Sequence, residues 1–355
     1  MGLFADVFTV CPPHTDVFGA RSEPGVSYAS LIAAHGATAE RIGASAMLIY
    51  DFWQSLDPWI TAQLVLSSTD TLEPIVAVNP ALTHPATAAR ALAGLTHLYG
   101  RRVNLNVVAG AKEAELAALG LPARGEERHP RLAEFIDALH AVLESRPYQG
   151  RWNQLDTAPL EPPPDPALAP RIIAPGSSSP GAAEVLGRLD RALVMAKPRA
   201  AVAAEHQRLA AGGLRGGLAM IVGIVARETA DEAWKTARGH YAGSRRDALT
   251  SKVFARTVTS TQHAANLSAV AAGEVQDDCL WYGSDRIGMD CPKLVGSYPQ
   301  VAAALRAYRE AGVTTLVLDL PFELAEYEHI DRALCAPEQH ADTSDPRPER
   351  RVSPR

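Results

Sequence analysis

The chain has 355 residues, of which 47% are hydrophobic and 21% charged, enough apolar material for one large core and nothing that forces a second domain. A formal net charge of −6 excludes the basic stripe that follows a phosphate backbone and the polybasic patch that clings to an anionic membrane, so neither nucleic acid nor membrane is an expected partner. The four cysteines, Cys11, Cys279, Cys291 and Cys335, form no CxxC pair and no zinc-type histidine spacing, which points to reduced thiols in a cytoplasm and to no metal site.

The first apolar run, Leu3–Thr9, has no cationic stretch before it and is too short for a signal core or a bilayer span; it reads as a strand. Strand-length runs follow at Ala46–Asp51, Pro74–Asn79, Val103–Ala109, Arg171–Ala174, Ala192–Met195, Leu218–Val225 and Thr315–Leu320. Between them lie Ala-rich segments of helical period such as Tyr28–Ile42 and Pro85–Leu98. Repeated βα units around a parallel sheet are the α/β signature, and eight of them predict a closed (β/α)8 TIM barrel over residues 1–335. Two stretches break the rhythm. The proline-dense 156–170 must be an extended surface connection, and the insertion of about 243–293 before the last strand has the length of a lid. The last residues, 336–355, have no apolar face and are expected to be disordered.

In such a barrel the chemistry is expected at the C-terminal strand ends. The residues delivered there are His14 after the first strand, Asp51, Trp53 and Ser55 after the second, Asn79 after the third and Asn106 on the fourth. The fifth runs into "PGSSSPGAAE", where Gly176, Ser177 and Ser178 with a helix opened by Pro180 and Gly181 can cradle a phosphate or can equally be a Ser N-cap before a helix-initiating proline. Trp281, Tyr282, Arg286 and Lys293 gather aromatic and cationic groups in the insertion, able to close over an anionic ligand or to pack the lid. Thr229 with Glu232 reads as a helix capping box.

The stretches "HPATAARALAGLTHLYGRRVNLNVVAG", "GSSSPGAAE", "IVARETADEAW" and "LVGSYPQVAAALRAYREAGVTTLVLDLP" resemble the bacterial luciferase-like flavin monooxygenases, most closely the alkanesulfonate monooxygenase branch. The resemblance implies a (β/α)8 barrel that uses reduced FMN, supplied by a separate flavin reductase, to oxidise a small molecule. It implies flavin contacts at Asn106, Gly176, Ser177 and Ser178 and places for His14 and Arg286 in the catalytic site; Asp51, at its strand end, is the third catalytic candidate, and a homo-oligomer, dimer or tetramer, is expected. Several positions depart from the family's pattern: Ser55 replaces a cysteine, Ala109 to Ala111 replace a hydroxyl-bearing strand end, and Gly125 and His129 stand for a histidine and a tyrosine. Met195, Gly223 and Leu320 take the places of a tryptophan, a histidine and a tyrosine. These losses leave open two enzymatic functions, beside a non-catalytic reading as a binding or regulatory subunit that pairs with an active homologue. One is a reduced-FMN-dependent monooxygenase acting on a small hydrophobic or natural-product substrate, with Trp53, Ser55, Met195, Trp281, Tyr282 and Leu320 lining the pocket. The other is a flavin-independent cyclase or isomerase of secondary metabolism on the same barrel, accelerating rearrangement by holding a flexible chain in a reactive shape.

Overall fold

The computed structural model describes residues 3–13, 26–51, 55–109, 127–156, 158–176, 180–241, 275–283 and 291–337, with 117 and 120 besides. In chain order they form β1 (Asp6–Val10), α1 (Tyr28–Arg41), β2 (Ala46–Ile49), α2 (Pro58–Ser68), β3 (Glu73–Val78), α3 (Pro85–Tyr99), β4 (Asn104–Val107) and α4 (Arg128–Leu143). A hairpin of β5 (Tyr148–Gln149) and β6 (Gln154–Leu155) precedes β7 (Ile172–Pro175), α5 (Ala183–Leu186), β8 (Arg191–Met195), α6 (Arg199–Ala211), β9 (Leu218–Arg227) and α7 (Ala230–His240). The rest are β10 (Val275–Gln276), β11 (Leu280–Trp281), β12 (Lys293–Ser297), α8 (Tyr298–Glu310), β13 (Val313–Leu318) and α9 (Glu326–Cys335).

The expected barrel is present. Strands β1, β2, β3, β4, β7, β8, β9 and β13 pair in that cyclic order, all parallel, and the β8–β9 and β9–β13 pairings close the ring. Closure leaves the eight strands without a free edge, and the helices bury the outer face. The two strand faces separate into two cores. Met47, Val76, Leu105 and Leu316 pack outward against the helices, whereas Phe8, Leu48, Ile75, Ile173, Leu193 and Val317 fill the lumen. The lumen floor is polar and self-satisfied: Arg191 donates to Asp6 at 2.5 Å and to the Thr315 hydroxyl, and the Asn104 amide donates to Glu73 at 2.8 Å.

Three features differ from the sequence expectation. The eighth strand stops at Leu318, short of Leu320, because β9 changes partners at Val222: below it the strand pairs with β13, and from Gly223 to Arg227 it pairs with β12. That switch makes β9 ten residues long and hangs a small side sheet, β10–β11–β12, on the rim beside the barrel. The insertion is thus partly strand where it is described; residues 242–274 and 284–290 lie outside the described residues. Finally, the helix opened by Pro180 and Gly181 is one 3-10 turn, Pro180–Ala182, and the four residues of α5. The proline-dense connection is extended as expected except for a turn at Pro166–Leu168, and Arg102 fastens it by donating to the Ala169 and Ala167 carbonyls at 2.9 and 2.7 Å.

Candidate active site

The C-terminal rim is built by alternation. Successive side chains on a strand point to opposite faces, so the lumen set on β2 is Ala46, Leu48 and then Tyr50, and on β8 it is Leu193 and then Met195. Val10, Tyr50, Met195, Leu320 and Cys291 close the top of the lumen as one apolar group. The sequence-predicted pocket residues Met195 and Leu320 both pack on this lumen group. Asp51 follows Tyr50 at half-burial and lacks the lumen parity of its neighbour, while Ser55 donates to the Leu56 carbonyl at 3.3 Å at the approach to α2. Asn79 ends β3 as a turn-former, its Oδ1 accepting from Ala81 N at 2.9 Å.

Asn106 is the polar exception. Leu105 and Val107 belong to the outer core, and Asn104 reaches Glu73 on the lumen side, so Asn106 faces the lumen as well. It is 3% exposed, and its Oδ1 is buried with no hydrogen-bond partner. Burying an amide oxygen without a donor costs about 1–3 kcal/mol, an expense that a ligand donor at the mouth would remove.

At the end of β7, Gly176 donates to the Leu193 carbonyl at 2.8 Å. A Cβ on it would lie 3.2 Å from Val194 Cγ1 and 3.4 Å from Glu205 Oε1, a tight but not prohibitive fit of strand on helix. His129 opens α4 with its Cβ 3.1 Å from where a Gly181 side chain would begin, and burial, with Arg128 beside it, pushes its imidazole below the usual histidine range. The predicted His14, Trp53, Ser177, Ser178 and Arg286 lie outside the described residues, as do Gly110, Ala111 and Gly125.

Trp281 and Tyr282 part company. Trp281 stands edge-on to Trp234 at 5.8 Å and to Tyr241 at 5.9 Å, and Phe322, stacked by His240 at 4.0 Å, completes an aromatic wall on the side sheet. Tyr282 instead turns into the outer core, 4% exposed, a position for packing and not for lining the mouth. Two residues the sequence reading passed over also reach the rim. Tyr50 was legible by parity with Leu48. Asp319, just past β13, donates its N–H to the Val222 carbonyl at 3.0 Å and forms an ion pair with Lys293, and this pairing depends on a strand switch that no local pattern announces.

Residues 6–315 match the luciferase-like monooxygenase family. A relative from Niallia circulans, 4-(gamma-L-glutamylamino)butanoyl-[BtrI acyl-carrier protein] monooxygenase BtrO, is 31% identical over 286 residues, 78% of this chain and 82% of its own. Among solved structures, riboflavin lyase with modified FMN and riboflavin superposes with a TM-score of 0.75 at 17% identity over 95% of this chain and 93% of its own. The oxygenating constituent of 3,6-diketocamphane monooxygenase from Pseudomonas putida, in complex with FMN, does so at 0.67 and 17% over 95% and 98%. Among the described residues there is no cluster of metal-binding side chains and no helix long and apolar enough to cross a membrane. The family match over most of the chain, the closed parallel ring and the apolar mouth at its C-terminal end place the chain in the luciferase-like monooxygenase family.

Proposed function

We propose that the chain is a reduced-FMN-dependent monooxygenase that oxidises a small hydrophobic or natural-product substrate at the C-terminal mouth of the barrel. The observation that carries this reading is the buried, unpartnered Oδ1 of Asn106 beneath the apolar group that closes the lumen. An imide or amide N–H, such as a flavin ring presents, satisfies it; a purely hydrocarbon ligand does not. The bound flavin would supply the electrons for oxygen activation. The chain's own part is then binding and exclusion of water: Asn106 orients the ring by accepting a hydrogen bond, and Val10, Tyr50, Met195 and Leu320 offer an apolar surface to ring and substrate. Gly176 leads into the segment proposed to hold the phosphate, Gly176 to Ser178.

The Niallia circulans relative acts on an acyl group borne by a carrier protein, which supports an extended acyl chain as the kind of substrate that the apolar mouth would accept. A separate flavin reductase is the proposed partner and a homo-oligomer the proposed assembly. Titration of the protein with oxidised FMN, followed by flavin fluorescence, tests the reading. Dissociation constants of about a micromolar or tighter are expected. A flat titration, with reduced FMN also failing to support substrate oxidation, would move the balance to the flavin-independent cyclase or isomerase.

A further inference from the structure

Ala219 and Ile221 on β9 face the lumen, so alternation assigns the next lumen side chain to Gly223, where there is none. The space is nonetheless filled. A Cβ built on Gly223 would lie 2.1 Å from Lys293 Cδ and 2.8 Å from its Cε and Nζ. Lys293 is the register partner of Gly223 on β12, and it is among the most deeply buried large side chains, at 2% exposure. Its stem lies across the glycine and its ammonium reaches the Asp319 carboxylate, with Cys291 Sγ at 3.9 Å and the Tyr241 ring centroid at 5.6 Å.

A methionine or leucine would fill the same gap without taking an ammonium out of water, a desolvation that costs several kcal/mol unless the charge is paired. The pair is also asymmetric. The lysine side chain is 2% exposed and the aspartate side chain 17%, so the cation is sealed inside and the anion is the more accessible half of the pair. Leu320, which closes the lumen top, is the residue after Asp319 in the chain.

We propose that Lys293 is a positioning residue of the candidate site: threaded through the gap at Gly223, its ammonium holds the Asp319 carboxylate ionised and fixed at the rim, where that carboxylate accepts a hydrogen bond from the bound ligand. The polar group that β9 lacks is thus delivered from the neighbouring strand, and the ligand it selects carries an N–H or O–H donor at that point. The contact with ligand rests on the flavin reading; the coupling of Lys293 to Asp319 does not. Around the pair, among the described residues, stand Cys291, Tyr241 and Tyr327, the last pushed up to about 12 chiefly by burial and further by the charge of Asp319; His240 stands edge-on to Tyr241 at 4.8 Å.

The test follows the aspartate carboxyl signals by NMR in isotopically labelled protein, with Asp319→Asn giving the assignment and a His240→Gln background holding the nearby histidine charge constant. In the wild type the Asp319 signal should stay ionised from about pH 5 to pH 8; in Lys293→Met it should acquire a titration midpoint inside that window, since a half-buried carboxylate without its cation binds a proton more readily. The double variant Lys293→Ala with Gly223→Lys, which returns an ammonium from β9 itself, should restore the ionised signal. A merely structural brace between β12 and β13 would not be rescued this way. Should Lys293→Met fail to fold, Gly223→Ala, whose methyl pushes the lysine stem off line, carries the same expectation in partial form. An Asp319 signal that does not move in any of these variants overturns the proposal.

Oxidised FMN is the ligand probe. Asp319→Asn and Lys293→Met should each weaken its binding roughly tenfold near neutral pH, the scale of one charged hydrogen bond, and Lys293→Met should add a pH dependence that the wild type lacks. Unchanged affinity and pH profile in both variants overturn the ligand contact. Absence of FMN binding by the wild type overturns the flavin reading and the contact with it, and the carboxyl titration still decides the coupling.

Discussion

Among the described residues, Asn106 sets a buried, unpartnered acceptor beneath the apolar group that closes the lumen. Replacing Asn106 by leucine removes the buried Oδ1 together with the ligand hydrogen bond it is held to accept. The two consequences have opposite signs: folding stability should hold or rise slightly, because an unsatisfied buried acceptor disappears, while oxidised FMN should bind about threefold to tenfold more weakly. Urea denaturation and flavin titration on the same preparation check both halves, and weaker folding with unchanged binding would make Asn106 a structural residue. Glu134 behaves in the contrary way. Its two oxygens accept from Arg151 N, Trp152 N and Asn153 N, each at 2.7 Å, and from Asn153 Nδ2 at 2.9 Å, so one buried carboxylate terminates the hairpin of β5 and β6 on α4. Glu134→Ala should cost about 3 kcal/mol in denaturant unfolding, since several donors lose their acceptor together.

The elements beyond β9 and β12 start from local chemistry that is written in the sequence. Thr229 accepts from Glu232 N while Glu232 reaches back to Thr229 N, and Ser297 and Gln300 make the same reciprocal pair at the head of α8. Thr229→Ala and Ser297→Ala should each lower unfolding free energy by about 1 kcal/mol, and by about the sum when combined, because the two caps share no partner. Denaturant unfolding of the three variants checks this. The caps, the strands and the count of eight could be read from the sequence because each depends on residues within a few positions of one another. The lumen parity was legible too, and it would have added Tyr50. The β12 pairing was not, since it joins Gly223 to Lys293 across 70 positions and depends on β9 outrunning its barrel partner. The shortness of α5 was equally hidden: proline and glycine announce a helix start but say nothing of its length. Tyr282 was misplaced for a related reason, because an aromatic residue in a long insertion has no period from which its face can be read.

At the scale of the molecule, two cores back onto one cylinder of strands, and a titratable group buried under the outer helices makes stability depend on pH. His35, on the α1 face that packs toward the barrel, is 9% exposed, stands edge-on to Tyr327 at 6.1 Å, and its Nδ1 is buried without a hydrogen-bond partner. Burial pushes its imidazole down to about 4, from about 6.5 in the unfolded chain. The folded protein therefore holds the neutral ring where the unfolded chain would already be protonated. Since the unfolded state binds more protons between those two values, the stabilisation is complete above about pH 6.5, falls as the pH drops through that window, and levels off below about pH 4. The loss is on the order of 3 kcal/mol for this one residue. His35→Phe keeps a ring against Tyr327 and cannot titrate, so the variant should show a flatter stability profile between about pH 4 and pH 6.5, with the two proteins diverging most at the acid end. Unfolding free energies measured across that range decide the matter. Parallel profiles for His35→Phe and wild type would mean that the imidazole is protonated in the folded state, and the acid sensitivity would then have to come from the carboxylates.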